Sequence, residues 1–427
     1  MPKNVLYLAE NAISPIQGGG IVVYALLRGL PAENLLGFFT YENITPATEY
    51  ASRFRVLPAP SGQDRGDNAY FRPNLGAPGK SASPVASYIA GGRTFATHLA
   101  NRIFRQEAAR TSEAIRSSGF KPEVIFLAGL SFRMLHLARQ LSEHFDISVV
   151  MLNMDDWMSD QVARSNPLSN YMRGAIASEM AAIAPRVSLA LSNSPYLANE
   201  LTRRYRIPHE TVNNACYDLM HGTGFKPPVE KSGPLIISFS GALNWSLQGE
   251  SLVLFSYAIA ELATRRPVEL HIFTPWEFAP IANQISIPGK IIYRGFCSKQ
   301  ELTEHYLSSD FLVASTTFND KDILLFKHSL ATKVSDYLCA GRPIISIGHP
   351  EWAVHDYVDR HGAGISIRTG RIDEIKQAVA SALDWTPTHR QEIGRRNRIL
   401  WEAAHDITVM GRKARDILGL GLVPAEL

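Results

Sequence analysis

Three clusters of side chains have types and spacing that could do chemistry. The first is Ser329-Leu330-Ala331-Thr332-Lys333-Val334-Ser335-Asp336-Tyr337-Leu338-Cys339-Ala340-Gly341-Arg342-Pro343. Lys333 and Asp336 are three apart, so they share a face in the first turn of a helix. Thr332 or Ser329 is expected to cap that helix and Gly341 to end it. A lysine neutralises phosphate and a carboxylate accepts hydrogen bonds from a diol, which together suit a nucleoside diphosphate. The plain alternative is a local ion pair on an exposed helix.

The second cluster is Gly18-Gly19-Gly20, ahead of a helical pattern at 21–30. Backbone without side chains at a helix start offers N–H groups to an anion. Roughly eight residues separate the preceding strand from these glycines, and no second spaced glycine follows, against the dinucleotide-binding fingerprint. A plain loop is the alternative. The third cluster, Asn153-Met154-Asp155-Asp156-Trp157, ends an apolar strand. Carboxylates accept hydroxyl hydrogen bonds and an indole stacks on the apolar face of a sugar. Asp155, Asp156 and Trp157 are therefore candidates for acceptor binding, with Asp155 and Asp156 candidates for catalysis. An aspartate helix cap beside a packed tryptophan is the alternative. Two adjacent carboxylates with no nearby histidine make a metal site thin, and a covalent double displacement stays open.

The elements that must position these residues alternate. Strands are expected at Val5–Ala9, Leu36–Thr40, Val124–Ala128, Val149–Asn153 and Ser188–Ser192, then at Leu235–Ser240, Val268–Phe273, Ile291–Phe296, Phe311–Ser315, Ile344–Ile347 and Gly364–Ile367. Helical patterns lie between them. Apolar strands alternating with helices mean parallel sheets covered on both faces. The pattern runs twice, so the fold class is α/β, with two Rossmann-like domains facing across a cleft. The stretch Lys226–Pro234 is rich in proline, glycine and charge and divides them. The expected domains are 1–225 and 234–400, with a tail helix in 401–427. Ligands in open parallel sheets bind at the carboxyl ends of strands, where all three clusters fall.

Composition agrees with a folded globular chain. Of 427 residues, 45% are hydrophobic and 19% charged, with 30 glycines and 25 prolines, which excludes disorder and collagen. The three cysteines are Cys216, Cys297 and Cys339, with no paired spacing for zinc. No apolar run is long enough for a membrane-spanning helix. The apolar run after Met1-Pro2-Lys3-Asn4 is too short for a signal peptide. A cytoplasmic protein is expected, peripheral to the inner membrane at most. Net charge is only +3, but residues 50–120 hold nine arginines and Lys80 against Asp64, Asp67, Glu107 and Glu113. Arg53, Arg55, Arg65, Arg72, Arg93, Arg102 and Arg105 could face an anionic lipid surface or a lipid diphosphate; a solvated helix face is the alternative.

The stretch around Lys333 resembles the S-x-P-x-K-x-x-[DE]-Y-x-x-x-G-x-P segment of GT-B glycosyltransferases of the family 4 type. Gly18-Gly19-Gly20 is similar to their GG loop, and Ser192-Asn193-Ser194 with Leu197 and Leu201 to their strand-to-helix step. Asn213-Asn214-Ala215-Cys216-Tyr217-Asp218 is similar to a worn PNGVD. Gly241-Ala242-Leu243 and Tyr293-Arg294-Gly295-Phe296 are similar to the start of their donor domain. The resemblance implies that Asp336 binds the nucleotide ribose and Lys333, as a catalytic residue, the diphosphate. It implies that Gly19 and Gly20 approach the diphosphate, and that backbone of Gly295, Phe296 and Cys297 lines the base pocket. Asn244, Arg294, Leu330 and Ala331 complete the donor side. D-D-W tripeptides occur on the acceptor side of some such enzymes, and the resemblance implies that 1–225 binds the acceptor, that 234–400 binds the nucleotide-sugar, and that the tail helix in 401–427 returns to the first domain.

It further implies retention of anomeric configuration, a nucleotide-sugar as co-substrate, and no metal or other cofactor. The acceptor is then a glycan or lipid-linked glycan in surface polysaccharide assembly, not a nucleic acid. The chain departs from the pattern in three places. His328 stands eight residues before Asp336, where an acid is usual. Gly241–Gly249 lacks the usual arginine and lysine, leaving Ala242 and Gln248. Ala331 replaces the motif proline. Arg294 and Arg342 are the expected substitute cations. The alternatives are a catalytically silent module binding nucleotide or glycan, and a nucleotide-sugar epimerase.

Overall fold

A computed structural model describes residues 3–14, 20–40, 46–57, 101–129, 131–156, 176–220, 225, 227 and 233–420. The chain divides into two compact units, Met1–Asn213 with Met410–Leu427, and Asn214–Val409.

The first unit carries β1 (Val5–Ala9), β2 (Leu35–Phe39), β3 (Phe54–Val56), β4 (Val124–Leu127), β5 (Ser148–Asn153), β6 (Val187–Ser192) and β7 (His209–Thr211). Their spatial order is β3-β2-β1-β4-β5-β6-β7, and neighbouring strands run parallel. The second unit carries β8 (Leu235–Ser240), β9 (Val268–Phe273), β10 (Ile291–Gly295), β11 (Phe311–Ser315), β12 (Ile344–Ile347) and β13 (Gly364–Ile367). Their order is β10-β9-β8-β11-β12-β13, again parallel. Each sheet therefore reverses strand order once, between β1 and β4 and between β8 and β11.

The central strands are mostly apolar because helices cover both faces. Every residue of β1, β2, β4, β11 and β12 is buried. The first core joins Leu6, Leu8, Ile125, Leu127, Leu135 and Met151. The second joins Ile237, Phe239, Phe255, Leu270, Val313 and Ile345. No helix among the described residues is long and apolar enough to cross a membrane.

Three features differ from the sequence reading. The short edge strands β3 and β7 are new. Each is three residues long and only partly buried, so neither carries a run that periodicity can register. The division between units falls ahead of Lys226–Pro234, at Asn214. The segment after Asn213 is pinned to the second unit: Asn214 Nδ2 donates to Leu330 O at 2.8 Å, Cys216 N to His405 O at 3.1 Å, and Arg398 to Asp218 at 2.7 Å.

The tail is two helices, Pro387–Ala404 and Ile407–Leu418. The break lies at His405, whose ring meets Tyr357 Oη and Asn214 O, each at 2.7 Å. Asp406 then caps the second helix through the amides of Thr408 and Val409. That second helix lies on the first unit, where Arg415 donates to Arg28 O at 2.8 Å and Gly411 packs against Ala25 O.

Candidate active site

The reversal of strand order in the second unit opens a place for a ligand at the carboxyl ends of β8 and β11. The helix Lys333–Cys339 is fixed beneath it. Tyr337 donates to Val313 O of β11 at 3.0 Å and lies 3.4 Å from Ser240 Oγ of β8. Tyr306 Oη meets the same Ser240 hydroxyl at 2.5 Å. These buried polar groups join the helix to both strands that flank the reversal.

Lys333 extends from the first turn of that helix to the end of β8. Its Nζ lies 4.3 Å from the centre of the Phe239 ring, and a side-chain carbon on Gly241 would stand 3.2 Å from it. Gly241 has φ +114°, a conformation that L side chains resist, so the backbone passes close to the ammonium. Burial alone pushes the Lys333 pKa down to about 7. Among the described residues no carboxylate pairs with it. The local ion pair with Asp336 does not form.

Asp336 pairs instead with Lys299, at 3.0 Å. Lys299 opens the helix Lys299–Ser308, whose start is a capping box between Ser298 and Glu301. Burial opposes the charge on Lys299, but Asp336 outweighs it and raises the Lys299 pKa. Neither predicted helix cap forms. Thr332 is itself helical and makes no cap bond, while the buried Ser329 hydroxyl has no hydrogen-bond partner. The Ser315 hydroxyl, at the end of β11, is buried and unpartnered too. Leu330 and Ala331 serve the helix start through their carbonyls: Leu330 O takes Asn214 Nδ2 and Ala331 O takes Val334 N.

The loop after β8 forms a tight turn at Trp245–Gly249. The Asn244 carbonyl accepts from Leu247, Gln248 and Gly249 amides, and Gln248 Oε1 accepts from Asn244 N at 3.3 Å. Gln248 is thus turned into its own loop, and no cation replaces the two absent ones there. Of the expected substitutes, Arg342 is ruled out by its surroundings. It is 1% exposed and donates to the carbonyls of Ala340, Gly341 and Leu307. Burial lowers its pKa to about 10. Arg294 is exposed and lies 3.2 Å from the His271 ring, which also meets Glu269 at 2.8 Å.

The last residues of β10 shift register between Tyr293 and Gly295, and Gly295 has φ +82°. Cys297 is half-buried. Phe296 is 74% exposed, and Trp276, in the loop after β9, is 79% exposed. Thr274 N donates to Gly295 O at 3.2 Å, tying these two loops together. Trp276, Lys299 and Ser315 escaped the sequence reading. Only their position just after strands could have signalled them.

In the first unit, Gly20 opens the helix Gly20–Leu27. A side chain there would strike the Ala12 carbonyl and the Ser14 amide. Close packing of backbone on backbone therefore requires this glycine. Gly18, Gly19 and Trp157 lie outside the described residues, as do Arg65, Arg72 and Arg93 and the side chains of Arg102 and Arg105. Arg53 and Arg55 donate to main-chain carbonyls, Arg53 to Leu35 and Arg55 to Ser52 and Phe54.

Asp155 is half-buried. Asp156 is 1% exposed, and both its oxygens accept from Arg204, at 2.8 and 2.9 Å. Arg204 also reaches Glu200 at 2.8 Å. Asp156 thereby holds the end of β5 to the helix Pro195–Tyr205. Asp156→Asn is expected to lower stability by about 1–3 kcal/mol, because the two-pronged pair between the buried carboxylate and Arg204 is broken and Arg204 keeps Glu200 alone as a carboxylate partner among the described residues. Thermal unfolding checks this; an unchanged midpoint would show that the pair holds nothing.

No protein-family model and no curated protein matches the chain. Solved structures do match, along nearly the whole length. Sucrose-phosphate synthase from Thermosynechococcus elongatus is similar at TM-score 0.66 and 12% identity, over 98% of this chain and 100% of that one. HepE from Anabaena, solved with UDP and glucose, is similar at 0.62 and 9%, over 98% and 99%. A UDP-forming trehalose-phosphate synthase from Burkholderia xenovorans, solved with glucose-6-phosphate, is similar at 0.62 and 13%, over 97% and 100%. At this identity the likeness is one of fold. The chain has the GT-B glycosyltransferase fold, with two parallel sheets flanked by helices.

Proposed function

We propose that this protein is a glycosyltransferase that takes a sugar from a nucleotide-sugar and passes it, with retention, to a hydroxyl of a glycan or lipid-linked glycan. The observation that carries this reading is Lys333: a desolvated amine at the strand reversal of the second unit, with no carboxylate paired to it among the described residues. An amine desolvated without a counter-ion is costly to the fold, and an anionic ligand would supply the missing charge.

In this reading Lys333 holds the diphosphate and stabilises the charge that grows on it as the glycosidic bond to phosphate breaks. The Ser315 and Ser329 hydroxyls are free to donate to phosphate or sugar oxygens. Asp336 accepts from the ribose diol, with the Lys299 ammonium 3.0 Å from it. The backbone of Gly295–Cys297 lines the base. The nucleotide-sugar is the co-substrate, and the proposed reaction takes no further cofactor. The structural neighbour HepE has been solved with UDP-glucose, which favours a uridine nucleotide here.

A thermal-shift series with UDP, GDP, dTDP and CMP tests the donor half. A nucleotide at about 100 Kd adds roughly 2.7 kcal/mol to the folded state, so one of the four should raise the unfolding midpoint clearly. No shift with any of them would sink the reading. Transfer, hydrolysis or epimerisation of the matching nucleotide-sugar then separates a transferase from a silent module and from an epimerase. The anomeric configuration of the product tests retention.

A further inference from the structure

The first unit reverses its strand order between β1 and β4, and Glu10 stands there, the first residue after β1. Its carboxyl is pressed against the α-carbon of Gly129, where any side chain would collide with it. Gly129 follows β4 closely, so the carboxyl lies at the carboxyl ends of both strands that flank the reversal. The Ser131 amide donates to Glu10 Oε1 at 3.3 Å, while Ser131 Oγ caps the helix Phe132–Phe145. The Glu10 carbonyl accepts from Thr40 N and Oγ1, at 3.2 and 3.3 Å, which fixes the main chain. Tyr7, on β1, turns its hydroxyl to Asn11 O at 2.7 Å.

No cation pairs with Glu10 among the described residues. Arg133, whose charge acts on Glu10, is bound by Glu107, with Nε 3.1 Å from both carboxylate oxygens. Burial raises the Glu10 pKa above the usual carboxylate range; Ser131 and the charge of Arg133 offset only part of this. A half-buried acidic group without a counter-ion accepts hydrogen bonds from neutral hydroxyls readily. A second anion beside it would either meet repulsion in a poorly solvated place or push the carboxyl pKa still higher, and both oppose the anion's binding.

We infer that Glu10 is a specificity-determining residue of the acceptor side. It accepts a hydrogen bond from a hydroxyl of a neutral sugar and turns away a phosphorylated one. This rests on the glycosyltransferase reading above and narrows its acceptor class. It also separates this protein from the neighbour solved with glucose-6-phosphate.

The test uses the full chain and the nucleotide-sugar selected by thermal shift. The acceptors are glucose, N-acetylglucosamine and their 6-phosphates. Wild type is expected to transfer to a neutral sugar at least about tenfold better in kcat/KM than to its phosphate. Glu10→Gln should raise KM for the neutral sugar about tenfold, the scale on which a lost hydrogen bond to an ionic acceptor is felt. It should narrow the preference over the phosphate and leave the nucleotide-induced thermal shift unchanged. Glu10→Asp keeps the charge but not the reach. It should raise KM and keep the preference, and it covers the case in which Glu10→Gln folds poorly.

A nucleotide shift in wild type with a Glu10→Gln KM within twofold overturns the inference. So does a preference for the phosphates, or transfer to neither neutral sugar. No nucleotide shift in wild type overturns the donor reading instead, and this inference with it.

Discussion

Lys333→Ala is expected to cut kcat/KM for sugar transfer by roughly 10²–10³, the range seen when one electrostatic donor to a developing anion is removed. Ala242 and Gln248 leave the first donor-side loop without cations, and Arg342 is bound into the fold by three main-chain carbonyls. The leaving diphosphate then depends on Lys333 more heavily. Charge on the leaving group grows in the transition state, so turnover should fall further than nucleotide affinity. Lys333→Arg should recover only part, since a guanidinium differs in shape from an ammonium and Gly241 leaves little room around the present Nζ. A loss below about tenfold in a folded variant would reduce Lys333 to a packing residue, and Arg294 would be the next cation to test.

The ionisation of Lys333 gives this prediction a second readout. With a folded pKa of about 7 against the ordinary lysine value of 10.5, the unfolded chain holds more protons between these two values. Stability from this group therefore rises as pH rises through that window. An anion beside the amine favours its charged form, so nucleotide binding should take up a proton near and above pH 7. Affinity should weaken as pH rises beyond that. Calorimetry in two buffers of different ionisation enthalpy measures the uptake; zero uptake would place the phosphates elsewhere. Lys333→Met should raise the unfolding midpoint while shrinking the nucleotide shift, the pattern of a residue kept for function at the expense of stability.

Asp336→Ala should weaken the nucleotide by roughly 1–3 kcal/mol, the scale of hydrogen bonds to a charged acceptor. A 2′,3′-dideoxy nucleotide should bind wild type weakly and the variant about as well as the full nucleotide does. Lys299 complicates the reading, because removing Asp336 also releases that lysine. Lys299→Met is the control. It should leave discrimination against the dideoxy nucleotide in place, since the carboxylate remains. If Asp336→Ala and wild type discriminate equally, the ribose contact lies elsewhere.

Much of the fold was legible in the chain because buried parallel strands write themselves as apolar runs. β8, β9, β11, β12 and β13 appear where those runs lie. β3 and β7 do not show, because a three-residue edge strand with exposed positions has neither length nor alternation. The helix carrying Lys333 was legible from its spacing and from Gly341, which takes φ +61° past its end. Its capping was not. Ser329 and Thr332 have the right chemistry, but the backbone at Thr332 is already helical and the Ser329 side chain turns away.

Local sequence thus determined two α/β units, their strand pattern, and a lysine and an aspartate on one turn of one helix. Only the tertiary structure decided how those charges are used. Asp336 is held by Lys299, 37 positions away, and Asp156 by Arg204, 48 away. Among the described residues Lys333 has no carboxylate partner and lies over Phe239, and Glu10 meets Gly129 and Ser131 across the strand reversal of its own sheet. The physical reason is range. Periodicity and capping act over three or four residues, whereas ion pairing, desolvation and steric fit depend on which strands lie side by side. In both sheets the strands that neighbour one another at the reversal are far apart in the chain.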